Sequence, residues 1–234
     1  IPEPMGDCLV RAQIGVMWLQ IKVQGIPVHV AYAGSGSNAL EATYVLIQGL
    51  KELEKKWNAE RIDQPLYADH DHPINFNVGK IQGGDWASSV PSWCVFDLRV
   101  AVYPDDDLNS RRAELEACIR DAASQDAFLR NAPPQVNYNG FLAEGYVLKD
   151  ADEAENALGW AHQEAYGQEL RAEVTTATTD ARFFGLYADT PGLVYGPLSD
   201  GIHGFDERVS LESVRQNTQA IALFVAEWCG LVVK

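Results

Sequence analysis

Nothing in this chain approaches the roughly 20 consecutive apolar residues that a helix needs to cross a bilayer, so no membrane span is expected. Cations are scarce: 18 Lys and Arg stand against 33 Asp and Glu, for a net charge of −15. Phosphate recognition needs clustered Lys and Arg, so nucleic acid and anionic membrane surfaces are not expected as partners. Cysteine is sparse as well. Cys8, Cys94, Cys118 and Cys229 form no CxxC pair, which argues against a zinc ribbon or a redox couple. Their apolar or helical settings suggest buried, reduced thiols in a cytoplasmic protein. No basic-then-apolar leader opens the chain, and no signal peptide is expected. There is no GxSxG elbow, no Walker loop and no GxGxxG fingerprint, so serine hydrolase, P-loop and Rossmann readings lack support.

What is present is ordinary for a globular protein. The 234 residues are 47% hydrophobic and 22% charged, which suits one large domain or two small ones. The chain opens Ile1-Pro2-Glu3-Pro4 without an initiator Met. It reads like the middle of a longer protein, and a fragment is expected.

The stretch from Gly25 to Asn38 organises the rest. It places one imidazole, His29, among glycines, a proline and small residues, between a strand and a helix. The alternation from Trp18 onward predicts a strand ending at Gly25. Leu46, Leu50, Leu53 and Trp57 recur at helical spacing, and Leu40 and Tyr44 extend the stripe, with Ser37 or Asn38 as cap. Two strands follow, about residues 74–81 and 93–102, joined by a Gly- and Ser-rich turn. A second helix is expected from Leu108 to Leu129, capped by Asn109 or Ser110 and stopped by Pro133-Pro134, with a strand over 135–141 beyond it. The order β-α-β-β-α-β over residues 14–141 is the ferredoxin-like arrangement, with both helices on one face of a four-stranded sheet and the other face partly open.

After Phe141 the character changes. A helix over 153–166 is expected to turn Leu158, Trp160, Ala161 and Ala165 inward. A Thr-rich loop follows, then a short strand near Leu193–Tyr195. The last helix, 211–229, is capped by Ser210, with Val214, Thr218, Ile221, Val225 and Trp228 inward. Residues 142–234 hold no complete sheet of their own. With residues 1–13 they suggest part of an α/β domain into which the ferredoxin-like module, 14–141, is inserted.

Several side chains suit chemistry. His203 lies between glycines in Gly201-Ile-His-Gly-Phe-Asp206-Glu207, a setting that lets an imidazole reach a metal while Asp206 or Glu207 orients its second nitrogen. Glu3 sits between two prolines, a stiff mount for a carboxylate ligand. Arg99 on a strand could clamp a carboxylate bidentately or make a cross-strand ion pair. The hydroxyls of Thr178 and Thr179 could fix a substrate carbonyl or serve only their own loop. Asp69-His70-Asp71-His72 looks like a metal tract, but consecutive side chains in a polar loop diverge, and a solvated loop is the better reading.

Taken in order, Ile-Pro-Glu3-Pro, Gly25-Ile-Pro-Val-His29 with Gly36-Ser-Asn38-Ala, Gly83-Gly-Asp-Trp-Ala-Ser-Ser-Val-Pro91, Phe-Asp97-Leu-Arg99, Thr178-Thr-Asp180-Ala-Arg, Tyr-Gly196-Pro and His203-Gly-Phe-Asp-Glu207 span nearly the whole chain. Together they resemble the zinc-dependent aminoacylase, acetylornithine deacetylase, succinyl-diaminopimelate desuccinylase and carboxypeptidase G metallopeptidase family. The resemblance implies a catalytic α/β domain with two zinc ions, or Co2+ or Mn2+ in their place, interrupted by a ferredoxin-like lid that makes a homodimer. Glu3 then matches an acidic zinc ligand and His203 the last ligand, on the other zinc. His29 matches the lid histidine that reaches the partner protomer's site and stabilises the oxyanion. Arg99 matches the residue holding the substrate carboxylate, and Thr178 a position lining the pocket. Ser88-Ser89-Val90-Pro91 departs from the family, many of whose members carry Asn there. The family's upstream elements, including the general base, have no counterpart in these residues.

The expected function is therefore hydrolysis of the amide bond of N-acyl-L-amino acids, in the style of acetylornithine deacetylase, by a protein of which this chain is an inactive part. The missing partner is the N-terminal half of the catalytic domain. The alternatives are a dipeptidase or carboxypeptidase of the same family, or a non-catalytic dimerisation or regulatory module.

Overall fold

The computed structural model describes residues 1–232. The chain forms two compact units: Ile14–Gly145, and Ile1–Gln13 together with the chain from Tyr146 onward.

In the Ile14–Gly145 unit, β2 (Gly15–Gln24) leads through a 3-10 turn (Val30–Ser35) to α1 (Ala39–Ala59); β1 (Cys8–Gln13) belongs to the other unit. Then come β3 (Phe76–Gly83), β4 (Trp93–Val102), α2 (Leu108–Gln125) and β5 (Gln135–Ala143). The strands form one antiparallel sheet in the order β3-β4-β2-β5. The register of β2 on β4 is continuous from Gly15↔Val102 to Gln24↔Trp93. It puts Met17, Leu19, Ile21 and Val23 on the same face as Cys94, Phe96, Leu98 and Val100, all buried. Leu46, Leu50, Leu53 and Trp57 of α1 and Leu115 and Ile119 of α2 are buried with them. Each such side chain contributes roughly 1.5–3 kcal/mol. The ferredoxin-like order is as the sequence predicts. Asn38 caps α1, its Oδ1 accepting from the N–H groups of Leu40 and Glu41. Tyr44 is exposed rather than inward. The cap of α2 is Asp107, not Asn109 or Ser110: its Oδ2 accepts from the Ser110 N–H at 2.8 Å. That helix ends at Gln125, before the expected Leu129.

A carboxylate ties α1 to the start of β3. Glu54, with its side chain 6% exposed, accepts from the Phe76 N–H and from Lys51 Nζ, each at 2.7 Å. His72 Nε2 lies 3.3 Å from Oε1, the oxygen that also accepts from Phe76, so this histidine of the acidic tract has a structural partner. Asn58 adds a pair of hydrogen bonds to the Ile74 backbone. Burial pushes the Glu54 pKa up, but the Lys51, Phe76 and His72 hydrogen bonds outweigh it and hold it below the usual value. Glu54→Ala strands the buried Phe76 N–H and is expected to cost about 2–3 kcal/mol, seen as a lower urea midpoint at pH 7. Because the folded-state pKa is depressed, this contribution is complete above the unfolded value near ~4.3 and fades as pH falls through the folded one. The gap between the wild-type and Glu54→Ala curves should therefore narrow in acid, the neutral carboxyl still accepting from Phe76; a gap that stays constant from pH 7 to pH 3 refutes the assignment.

The other unit is built on β1 (Cys8–Gln13), which pairs parallel with β7 (Arg171–Thr175) and antiparallel with β6 (Tyr146–Val147) and β8 (Val194–Tyr195). Helix α3 (Asp152–Tyr166) packs on α5 (Leu211–Cys229), and α4 (Ala181–Tyr187) lies near β6. Strands β9 (Ser199–Asp200) and β10 (Arg208–Val209) make a small hairpin. Leu9, Val10, Leu158, Ala181, Val194 and Tyr195 are in its core.

Two inward stripes differ from expectation here. On α5 the buried residues are Ser213, Asn217 and Ala220, while Val214, Val225 and Trp228 are exposed. On α3, Ala154, Leu158, Ala161 and His162 are buried and Trp160 is exposed. The cause on α5 is the buried side chain of Asp7. Asp7 Oδ1 accepts from Tyr166 Oη, Ser213 Oγ and Asn217 Nδ2 at 2.7, 2.6 and 2.8 Å. Polar side chains therefore face inward where an apolar stripe is the usual rule. The four cysteines are free; Cys8 and Cys94 are buried, but Cys118 is only partly so and Cys229 is exposed. Among the described residues no helix is long and apolar enough to cross a membrane.

Candidate functional site

The His29 loop is held almost wholly by backbone. Gly25 N–H donates to the Ser92 carbonyl at 2.7 Å, and Ile26 and Ser37 exchange two hydrogen bonds of 2.9 and 3.0 Å that close the loop on itself. A Cβ on Gly25 would lie 2.3 Å from the Ser37 oxygen and 2.5 Å from that of Pro91, so only glycine fits this neck. The Val30 N–H donates to the Ser88 carbonyl at 3.0 Å, and the Val90 N–H to that of Val28 at 2.9 Å. His29 and Ser89 thus face each other across an isolated antiparallel bridge. The Ser88–Val90 segment, where the sequence departs from the family pattern, serves the loop through its main chain.

The imidazole itself is exposed. Its Nδ1 accepts from the Ala31 N–H at 3.1 Å, capping the 3-10 turn. In the neutral ring an accepting Nδ1 leaves the proton on Nε2, which is then a donor directed away from the turn.

Arg99 lies on β4 between Trp18 of β2 and Asn77 of β3, on the sheet face opposite the helices. It is half-buried, and burial holds its guanidinium below the usual pKa. Sheet and loop fix both side chains within the one unit.

Glu3, Thr178 and His203 belong to the other unit. Glu3 is half-buried, and its segment is tightly seated: a Cβ on Gly196 would meet the Glu3 carbonyl oxygen at 1.8 Å. Downstream, the Asp7 N–H donates to the Gly196 carbonyl at 2.8 Å, and the Asp7 carboxylate anchors the same segment to α3 and α5. His203 sits at the tip of the β9–β10 hairpin, exposed, with φ of +61°. A left-handed non-glycine residue stores strain, and such residues cluster at functional positions. Gly201, at φ +65°, precedes it, and the Gly204 N–H closes the turn on the Gly201 carbonyl at 2.7 Å.

Thr178 is half-buried. The buried hydroxyl of that loop is its neighbour's: Thr179 Oγ1 donates to Gln13 Oε1, while Gln13 Nε2 donates to the Thr179 carbonyl at 2.9 Å. Sequence reasoning missed this anchor because Gln13 is buried on a strand 166 residues away.

Among the described residues no three His, Cys, Asp or Glu side chains come together as a metal-binding group. Glu3 and His203 are of the right chemistry for zinc, each supplying one donor, but these residues do not by themselves complete a site. A cavity of about 700 Å3 in this unit, lined by residues such as Phe184, Pro191, Leu193 and Trp228, contains none of the five candidates.

Residues 11–127 match the model of the peptidase dimerisation domain. The chain belongs to that family. It is the family of metallopeptidases to which the ordered motifs pointed. An N-formyl-4-amino-5-aminomethyl-2-methylpyrimidine deformylase of Halalkalibacterium halodurans is 25% identical over 99% of this chain and 58% of its own length. A succinyl-diaminopimelate desuccinylase of Hydrogenovibrio crunogenus is 25% identical over 92% of this chain and 52% of its own. The fold of human carnosine dipeptidase 1 superposes with a TM-score of 0.73 at 13% identity, over 99% of this chain and 58% of that one. The chain spans a little over half the length of these relatives.

Proposed function

We propose that this chain is part of a metal-dependent hydrolase that cleaves the amide bond of N-acyl-L-amino acids. The observation that carries the reading is the His29 imidazole, exposed on a rigid loop with Nδ1 accepting a hydrogen bond and Nε2 left as donor. A neutral, pre-oriented donor of that kind suits the oxyanion that develops on an amide carbonyl. Arg99 would hold the substrate carboxylate through its planar fork, and Thr178 would line the pocket. Glu3 and His203 would each give one ligand, the remaining ligands and the general base coming from a part of the protein outside these residues. Bound zinc would polarise the carbonyl and lower the pKa of water. The dimerisation domain supports a homodimer, and His29 would serve the partner's site. A cytoplasmic location and a small-molecule substrate accompany this reading.

The relatives' names support deacylation, since one is a deformylase of an N-formyl compound and another a desuccinylase. The test is a panel of N-acetyl-, N-succinyl- and N-carbamoyl-L-amino acids and free dipeptides, assayed with the full-length protein. Acyl amino acids are expected to exceed dipeptides in kcat/KM by at least about tenfold, roughly 1.4 kcal/mol. The reverse order would make the enzyme a dipeptidase. No turnover of any panel member by a metal-loaded dimer would favour a non-catalytic module.

A further inference from the structure

The open face of the sheet in the Ile14–Gly145 unit is polar along its middle. Gln20 Nε2 donates to Asp97 Oδ1 at 2.9 Å, and Lys80 and Asn137 stand in the same row. At the Arg99 row the face changes. Trp18 stands directly opposite Arg99 in the β2–β4 register, which puts their Cβ atoms about 5 Å apart. Val16, Met17 and Leu19 around it are buried, but Trp18 is 43% exposed. Phe141, itself 48% exposed, meets the indole edge-on with ring centroids 4.9 Å apart and planes at 81°.

The backbone is shaped for this pair. On β5 the register jumps from Tyr138, opposite Leu19, to Leu142, opposite Met17. Asn139, Gly140 and Phe141 therefore bulge across from Trp18, and bulges are a means of re-aiming a side chain. A Cβ on Gly140 would lie 2.7 Å from Trp18 Cε3 and 2.9 Å from Trp18 Cβ, so glycine lets the bulge close on the indole. Two large rings are thus fixed in place yet half open to solvent, beside a half-buried guanidinium. A guanidinium draws a carboxylate, and a ring attached next to that carboxylate falls onto the neighbouring aromatic surface.

We propose that Trp18 and Phe141 form an aromatic wall beside Arg99 that selects N-acyl amino acids bearing an aromatic side chain. The proposal rests on the reading of Arg99 as the carboxylate clamp and names the substrate class that this clamp receives. Trp18 and Phe141 are specificity-determining residues in it.

The test compares N-acetyl-L-phenylalanine with N-acetyl-L-alanine on the full-length metal-loaded protein. Trp18→Ala is expected to lower the ratio of their kcat/KM values about 10–100-fold, mainly through KM for the aromatic substrate. Phe141→Leu should lower it less, and Trp18→Phe, which keeps a flat ring, should retain most of it. Arg99→Ala should depress both substrates together. A ratio unmoved by both Trp18→Ala and Phe141→Leu overturns the wall. If the wild type cleaves neither substrate, the hydrolase reading fails separately, and the wall is read by saturation-transfer NMR with N-acetyl-L-phenylalanine. Ring saturation lost in Trp18→Ala supports it; ring saturation absent from the wild type, or surviving in the variant, overturns it.

Discussion

His29→Ala in the full-length protein is expected to lower kcat by about 10²–10³-fold, the usual cost of removing one oxyanion donor, with bound metal and dimer mass unchanged. The loop's closure explains why the loss should be confined to the chemistry. Its hydrogen bonds run through the backbone of Gly25, Ile26, Val28, Val30, Ser37, Ser88, Val90 and Ser92, and none of these uses the imidazole. The ring's own bond, from the exposed Ala31 N–H, is a cap that water can replace, at about 0.5–1 kcal/mol. His29→Asn keeps a side-chain acceptor for that cap but removes the Nε2 donor, and should be as slow as alanine. Folding and KM for the acyl amino acid should stay close to wild type in both. A kcat within about threefold of wild type would remove His29 from the mechanism. The trans arrangement has its own readout. His29→Ala co-expressed with His203→Ala yields heterodimers in which one site has both an intact metal set and the partner's His29. Activity should reappear if His29 acts across the dimer and stay absent if it acts within its own protomer.

The ferredoxin-like order was legible because two independent periods agree on one core. Alternation on β2 and β4 and the 3.6-residue stripe on α1 bury residues together, and Asn38 begins the helix where its type and position say it should. The rest was misread where burial is polar or elements are short. On α5 the apolar residues Val214, Val225 and Trp228 outvote the true stripe by count. Ser213 and Asn217 can be buried only because Asp7, more than 200 residues earlier, receives their hydrogen bonds. Strand β1 escaped notice because it holds the exposed Arg11 and the buried Gln13 among apolar residues, and alternation disappears in a strand buried on both faces. Helix α4, with seven residues, is too short for a period to show.

The candidate site divides differently. Glu3, His29, Arg99, Thr178 and His203 are candidates that motifs suggest. Their geometry is not in the motifs. Which nitrogen of His29 is the donor follows from a local hydrogen bond. The aromatic surface beside Arg99 follows from a register and a bulge that relate Trp18 to Phe141 across 123 positions, which no local motif records.

With two metal ions per protomer, as the family resemblance implies, Glu3→Ala and His203→Ala in the full-length protein should each remove about one of them and lower turnover about 10³-fold, corresponding to roughly 4 kcal/mol of lost transition-state stabilisation. The two positions are mounted in contrasting ways, and the variants should differ accordingly. Glu3 rides on a proline-flanked segment clamped by Gly196 and by the Asp7 anchor on α3 and α5. Its backbone placement does not depend on its side chain, so Glu3→Ala should lose metal without loss of stability. His203 occupies a left-handed backbone conformation. Glycine adopts that conformation without strain, so His203→Gly should be more stable than His203→Ala by roughly 1 kcal/mol while losing the same metal. Elemental analysis of the purified dimer together with urea unfolding separates the two effects. Full metal occupancy in either alanine variant would exclude that residue as a ligand, and a His203→Gly variant less stable than His203→Ala would show that the imidazole, not the turn, imposes the left-handed backbone.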